Sequence, residues 1–393
     1  MSGDAPLDPQ LELVLRAAIA EPERAADAAR AFIAGFEPEQ PLDPRVYAAI
    51  PAVYARLGPA AGSDDPRWKL CSGVARQVWT RNQMRLSAAR SALEALGRVG
   101  TAPVVLPGAV TGMAALDDSG ARVLERVDLL VPPDHLPRVS AALLGTGATI
   151  HQDHEPLLDG RLAWQPLVYA ELAHGALAVR WDHPALDPTV LDALRDRPTP
   201  LRLGPLVAAT PAAPDALVLV LADLSDTDPG PVDWTSLVLE AARLLRVLDG
   251  DGPTLDRVAR VAHDVDRHDA WTDLLRRLAH VSDDRADREA VDRFAAAPRS
   301  IGPPGPRPPA PTLRGRARRI LGRYRVEARG RRESATARGF ARYLTVRWHL
   351  HRRRDLPREA ARRVLRARRL QPPGTAVVEP SSSHTRASST SSE

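Results

Sequence analysis

Residues 125–136 read ERVDLLVPPDHL, and the alternation inside this stretch decides the fold class. From Arg126 to Val131 a period of two puts Val127, Leu129 and Val131 on one face and Arg126, Asp128 and Leu130 on the other, the pattern of a β-strand. Pro132-Pro133 ends the strand. Asp134 is placed to cap a helix with Leu136, Val139, Ala142 and Leu143 as its apolar positions and Gly145 and Gly147 as its stop. Upstream, Val104, Val105 and Leu106 read as a short buried strand entering the Pro107-Gly108 loop. Downstream, Ala176 to Asp182 reads as a third strand, with Leu177, Val179 and Trp181 on one face and Ala178, Arg180 and Asp182 on the other. Helical segments surround these strands, so the expected class is α/β (α+β): a small mixed sheet with flanking helices, a helical subdomain and a basic helical C-terminal extension.

Residues 8–58 carry apolar residues at helical spacing between Pro-containing breaks. From Asp65 to Leu96 the pattern is again helical, with Leu86, Ala89, Leu93 and Leu96 on one stripe. Asp215 to Val281 reads as helices throughout. GPPGPRPPAPT at 302–312 is an extended spacer, and EPSSSHTRASSTSSE at 379–393 has a disordered composition. The expected organisation is an N-terminal helical region (1–64), a strand-containing domain (65–210), a helical subdomain (211–300), a Pro-rich linker (301–312), an Arg-rich extension (313–370) and a tail (371–393).

The 393 residues are 44% apolar, enough for a substantial core, and 37 Pro with 25 Gly fall short of a low-complexity chain. Cys71 is the sole cysteine, which excludes an internal disulfide and any all-Cys or Cys-pair zinc site, and fits a reducing, cytoplasmic setting. The first residues are acidic with no basic leader, and no stretch approaches the ~18 uninterrupted apolar residues of a membrane span, so neither export nor membrane insertion is expected. The net charge of +5 conceals an asymmetry: residues 313–370 hold 21 Arg against four acids, a local +17, while residues 1–312 sum to −11. Lys69 is the only lysine, a bias that fits a GC-rich genome, so Arg counts are discounted as evidence of function. Within the extension Phe340, Tyr343, Leu344 and Trp348 share a helical face. That face points to docking on the acidic body, with an anionic partner, nucleic acid or lipid surface, as the alternative.

Five segments in order carry a family resemblance: RWKLCSGVARQVWTRNQMRL (67–86), VVLPGAV (104–110), ERVDLLVPPDHL (125–136), LAVRWDHP (177–184) and PLRLGPLVAATPAAPDALVLVLA (200–222). Together they resemble the uncharacterised nucleotidyltransferase family of the DNA polymerase β superfamily, over roughly residues 65–280. In that family a helix bearing W-x-x-N precedes an L-K-G-A loop, a D-(I/V)-D-L-L-V strand and a D-L-H-W strand. The resemblance implies a nucleotidyltransferase-like fold and NTP-dependent chemistry, in which carboxylates hold two Mg²⁺ ions against the nucleotide phosphates.

The resemblance also locates the departures. The loop lysine falls on Pro107, the first Asp of the pair on Arg126 and the acid of the later strand on Arg180; Asp128 remains. Two acids replaced by two Arg leave a pocket that repels Mg²⁺, since one unit pair about 4 Å apart is worth about 4 kcal/mol at an effective dielectric near 20. The reading is a catalytically degenerate member, a pseudoenzyme with a binding or scaffolding role. One alternative is active transfer to an unknown acceptor, with Asp128 and Asp182 as the catalytic and Mg²⁺-holding pair. In another, Gly108, Arg126 and Arg180 bind the phosphate of a nucleotide by backbone and forked hydrogen bonds. Against this, both Arg can simply pair with neighbouring acids such as Asp182 or Glu125. An adaptor run by residues 313–370 is the third alternative. The HQDHE cluster at 151–155, with His174 and His183, carries metal-ligand residue types but reads more simply as a polar loop.

Overall fold

The computed structural model describes residues 7–37, 39, 41–58, 65–150, 167–181, 183, 186, 188–226, 230–248 and 251–297, with 341 and 357 isolated. By internal contacts the chain divides into two units, residues 1–307 with 330–332, and 308–329 with 333–393. The first holds nearly all described residues and is the one described below. Phe340, Tyr343, Leu344 and Trp348 lie outside the described residues.

Three helices open the chain: α1 (Pro9–Ile19), α2 (Pro22–Ala34) and α3 (Pro44–Leu57). The long α4 (Pro66–Arg98) leads to β1 (Val104–Val105), α5 (Ala109–Ala115), β2 (Arg126–Leu130), α6 (Leu136–Gly145) and β3 (Thr149–Ile150). Then come β4 (Leu167–Leu172), β5 (Gly175–Arg180), α7 (Pro188–Asp196), β6 (Pro198–Leu203) and β7 (Leu206–Pro211). Five helices follow: α8 (Ala213–Asp226), α9 (Pro231–Val247), α10 (Gly252–Asp264), α11 (His268–Ser282) and α12 (Arg285–Ala296). Several starts share one device. Asp8, Asp43 and Asp65 each precede a Pro whose fixed φ suits the first turn, and each side chain accepts backbone N–H bonds from that turn.

The fold class holds at this level: the described residues form helices with one mixed sheet of seven strands, in the order β3-β4-β5-β2-β1-β7-β6. The β2–β5 and β1–β7 pairs are parallel and the others antiparallel. On one face Val127, Leu129, Leu177 and Val179 pack with Leu93 and Leu96 of α4 and Leu136, Val139 and Leu143 of α6. Val104 and Leu130 belong to a second core, which takes in α1–α3 and α8–α12 as well. The N-terminal and C-terminal helical segments, far apart in sequence, therefore bury their apolar stripes against one another.

One reading needs correction, and one strand pair carried no sequence reading. A short 3₁₀ turn, Pro133–His135, precedes α6, and His135 rather than Asp134 occupies its cap position, with no side-chain cap bond. The stretch 198–211 is a β-hairpin. Pro198 and Pro200 hide β6 from propensity, yet it is an edge strand, where a missing N–H costs no ladder bond on the open side. Gly204, at φ +64°, opens the two-residue turn between the paired Leu203 and Leu206.

The approach to β2 is fixed by Asn82, which is fully buried on α4. Its amide donates to Ser119 O (2.7 Å) and Arg122 O (2.6 Å), and its carbonyl accepts from Leu124 N (3.1 Å). Arg85, three residues on, donates to Leu124 O. The W-x-x-N element thus ties the helix to the loop that aims Arg126 and Asp128. Replacing Asn82 by Ala strands three backbone groups, two of them in buried bonds, so Asn82→Ala is expected to cost about 2–4 kcal/mol by urea unfolding. Gln83→Ala, one residue away and partly exposed, is expected to cost under about 1 kcal/mol.

Candidate functional site

Register brings the predicted residues together. In the parallel β2–β5 pair Asp128 lies opposite Ala178 and Leu130 opposite Arg180, so Arg126, Asp128 and Arg180 share one sheet face. It is the face of Leu130, turned toward the helical core. Arg126 Nε donates to Asp128 Oδ1 at 2.8 Å and Arg180 Nη2 to Asp128 Oδ2 at 3.3 Å. One carboxylate is therefore clasped by two guanidinium groups.

The helices complete the set with two acids. Asp233, in the first turn of α9, meets Arg126 Nη1 at 2.7 Å. Asp223, near the end of α8, meets Arg180 Nη1 at 3.1 Å and His183 Nε2 at 3.1 Å. The result is an alternating chain, Asp233–Arg126–Asp128–Arg180–Asp223–His183, that stitches two strands to two helices. Tyr169 of β4 sits beneath Arg126, ring centroid to guanidinium carbon 5.8 Å. The five formal charges sum to −1. Side-chain exposure falls from 23% at Arg126 to 13% at Arg180, so the chain runs from the rim inward.

Burial alone would lower both guanidinium groups, but the carboxylates outweigh it. Asp128 and Asp233 hold Arg126 above its ordinary value; Asp223 and Asp128 do the same for Arg180, against the opposing charge of Arg126. Burial likewise pushes Asp223 up, and Arg180 and His183 overcome it and bring the carboxyl down to about 2. Asp233 goes the other way: burial, reinforced by Asp128 and Glu125, raises it despite Arg126.

Asp182 lies outside the described residues. Gly108 adopts φ +145°, and its amide donates to Thr111 Oγ1 at 3.0 Å. The same hydroxyl donates to the buried Glu240 of α9 (3.0 Å), so the loop is braced internally. Asp128, the described part of the expected Mg²⁺-holding pair, presents both oxygens to guanidinium groups, a donor set that does not fit a divalent cation. Glu125, named as an acid near the two Arg, is not a partner of Arg126 among the described residues; Asp128 and Asp233 are. Asp223 and Asp233 were not singled out from sequence. Asp223 did leave a signal, a lone acid inside the apolar run LVLVLADL; Asp233, an acid in a helix's first turn, looks like ordinary dipole compensation.

The low value of Asp223 fixes a pH dependence. A carboxylate depressed on folding stabilises the protein above its unfolded value of about 3.9, and that contribution is lost as pH falls toward about 2. Asp223→Asn is expected to cost about 2 kcal/mol at pH 6–7, with the gap to wild type narrowing from pH 4 downward in urea unfolding series. A gap independent of pH would show that Asp223 carries no such charge coupling. Asp233 titrates in the opposite sense, so the difference between variant and wild type, not the wild-type curve alone, is the observable.

Compared with models of known protein families and with curated proteins, the chain matches none.

Proposed function

We infer that residues 65–280 form a nucleotidyltransferase-like domain whose catalytic face serves binding or scaffolding instead of nucleotidyl transfer. The observation that carries this reading is the clasp on Asp128. The resemblance puts metal-binding acids at positions 126 and 180, and both positions hold guanidinium groups that take the two oxygens of the remaining Asp. A cation would have to displace two charge-assisted bonds and then sit beside two like charges. The Arg forks are equally committed, each to two carboxylates, which disfavours the phosphate-pocket alternative. Among the described residues no helix is long and apolar enough to cross a membrane.

Incubation of the full chain with each of the four NTPs, Mg²⁺ or Mn²⁺ and a broad set of protein and small-molecule acceptors is expected to release no pyrophosphate above background. Release that disappears in Asp128→Asn would overturn the reading and make Asp128, with Asp182, the catalytic pair.

A further inference from the structure

Beside the ion-pair chain, a small cavity of about 70 Å³ opens between α3, α4, the approach to β2 and the start of α9. Glu125 and Val232 line it, while their chain neighbours Arg126 and Asp233 pair with each other. Val78, Val123 and Val232 form apolar walls, part of a separate hydrophobic cluster. The polar lining is Arg81 and Arg85, one turn apart on α4, with Tyr47 and Glu125. Asn82 also borders the cavity, with its amide already spent on the β2 approach.

The basic pair is prepared unevenly. Arg85 is held in place: one Nη donates to Leu124 O, and its stem lies against Gly175, where an added Cβ would come within 3.2 Å of Arg85 Cγ. Arg81 has no hydrogen-bond or ion-pair partner among the described residues, and neither has Glu125. Two arginines and a tyrosine line a space for a few water-sized groups, a set of donors that matches one tetrahedral oxyanion. The carboxylate selects among oxyanions. Inorganic phosphate at neutral pH, as H2PO4⁻ or HPO4²⁻, always carries a proton and can donate to Glu125, whereas sulfate has no proton to give and meets the carboxylate as an unpaired like charge.

We propose that this cavity is a phosphate site, in which Arg81, Arg85 and Tyr47 donate to a phosphate group and Glu125 accepts from its protonated oxygen. The site is independent of nucleotidyl chemistry: the pyrophosphate assay could fail or succeed without changing it.

The test is calorimetric titration of the full chain at fixed ionic strength with inorganic phosphate, sulfate and glycerol phosphate. Saturable phosphate binding is expected, with sulfate at least about tenfold weaker, the scale of one charge-assisted bond. Arg81→Gln, at an exposed side chain, is expected to weaken phosphate about tenfold or more with an unchanged thermal midpoint in ligand-free buffer. Glu125→Gln is expected to bring sulfate to within a few-fold of phosphate. Binding of glycerol phosphate that strengthens toward about pH 6, where the monoester carries a proton, to the affinity of inorganic phosphate would identify the phosphoryl group of a larger molecule as the ligand; its exclusion there as well would identify free phosphate. No saturable phosphate binding, or phosphate and sulfate binding alike with no response to Arg81→Gln or Glu125→Gln, would overturn the proposal.

Discussion

Asp128 has two oxygens, and both are held by guanidinium groups; the rest of the site follows from that. Two guanidinium groups share that single carboxylate, which offsets one of their two charges, and at 13–23% exposure water supplies little of the balance. Each Arg has donors left for a second acid, and both acids come from helices, Asp233 for Arg126 and Asp223 for Arg180. Buried pairs of this kind add little net stability over apolar packing, but losing one member leaves the charge of the others uncompensated. The network ties α8 and α9 to β2 and β5 at defined positions.

The same logic explains why the sheet is braced from both sides. On its far face α4 and α6 cover Val127 and Leu129, while Asn82 fixes the entry to β2 through three backbone hydrogen bonds. Arg126 and Asp128 are thus delivered at a set height along the strand. Glu240 performs a parallel task for the Gly108 loop, joining Thr111 of α5 to Arg243 of its own helix. Polar pins therefore tie α9 to β2 and to α5, the two elements that flank the site.

What was legible in the sequence was local. Period-two alternation located β2 and β5, and helical spacing between Pro-containing breaks located most helices, because those signals arise within a few residues of one another. The shared face of Arg126, Asp128 and Arg180 was also legible, within each strand from its period and between the strands from the family resemblance. The hairpin at 198–211 was not, because Pro198 and Pro200 argue against a strand unless its edge position is known. Asp223 and Asp233 escaped for a different reason: their partners lie far along the chain, and nothing in an amphipathic helix states which face of which sheet it will cover. The common core of α1–α3 with α8–α12 escaped on the same ground.

The central claim is that Asp128 is committed to Arg126 and Arg180 and has no capacity left for a divalent cation. Paramagnetic resonance of Mn²⁺ titrated into the full chain, with Asp128→Asn in parallel, addresses this directly, since free and bound Mn²⁺ give separable signals. Equal amounts of bound Mn²⁺ in the two proteins are predicted. A stoichiometric site in the wild type that Asp128→Asn abolishes would contradict the account.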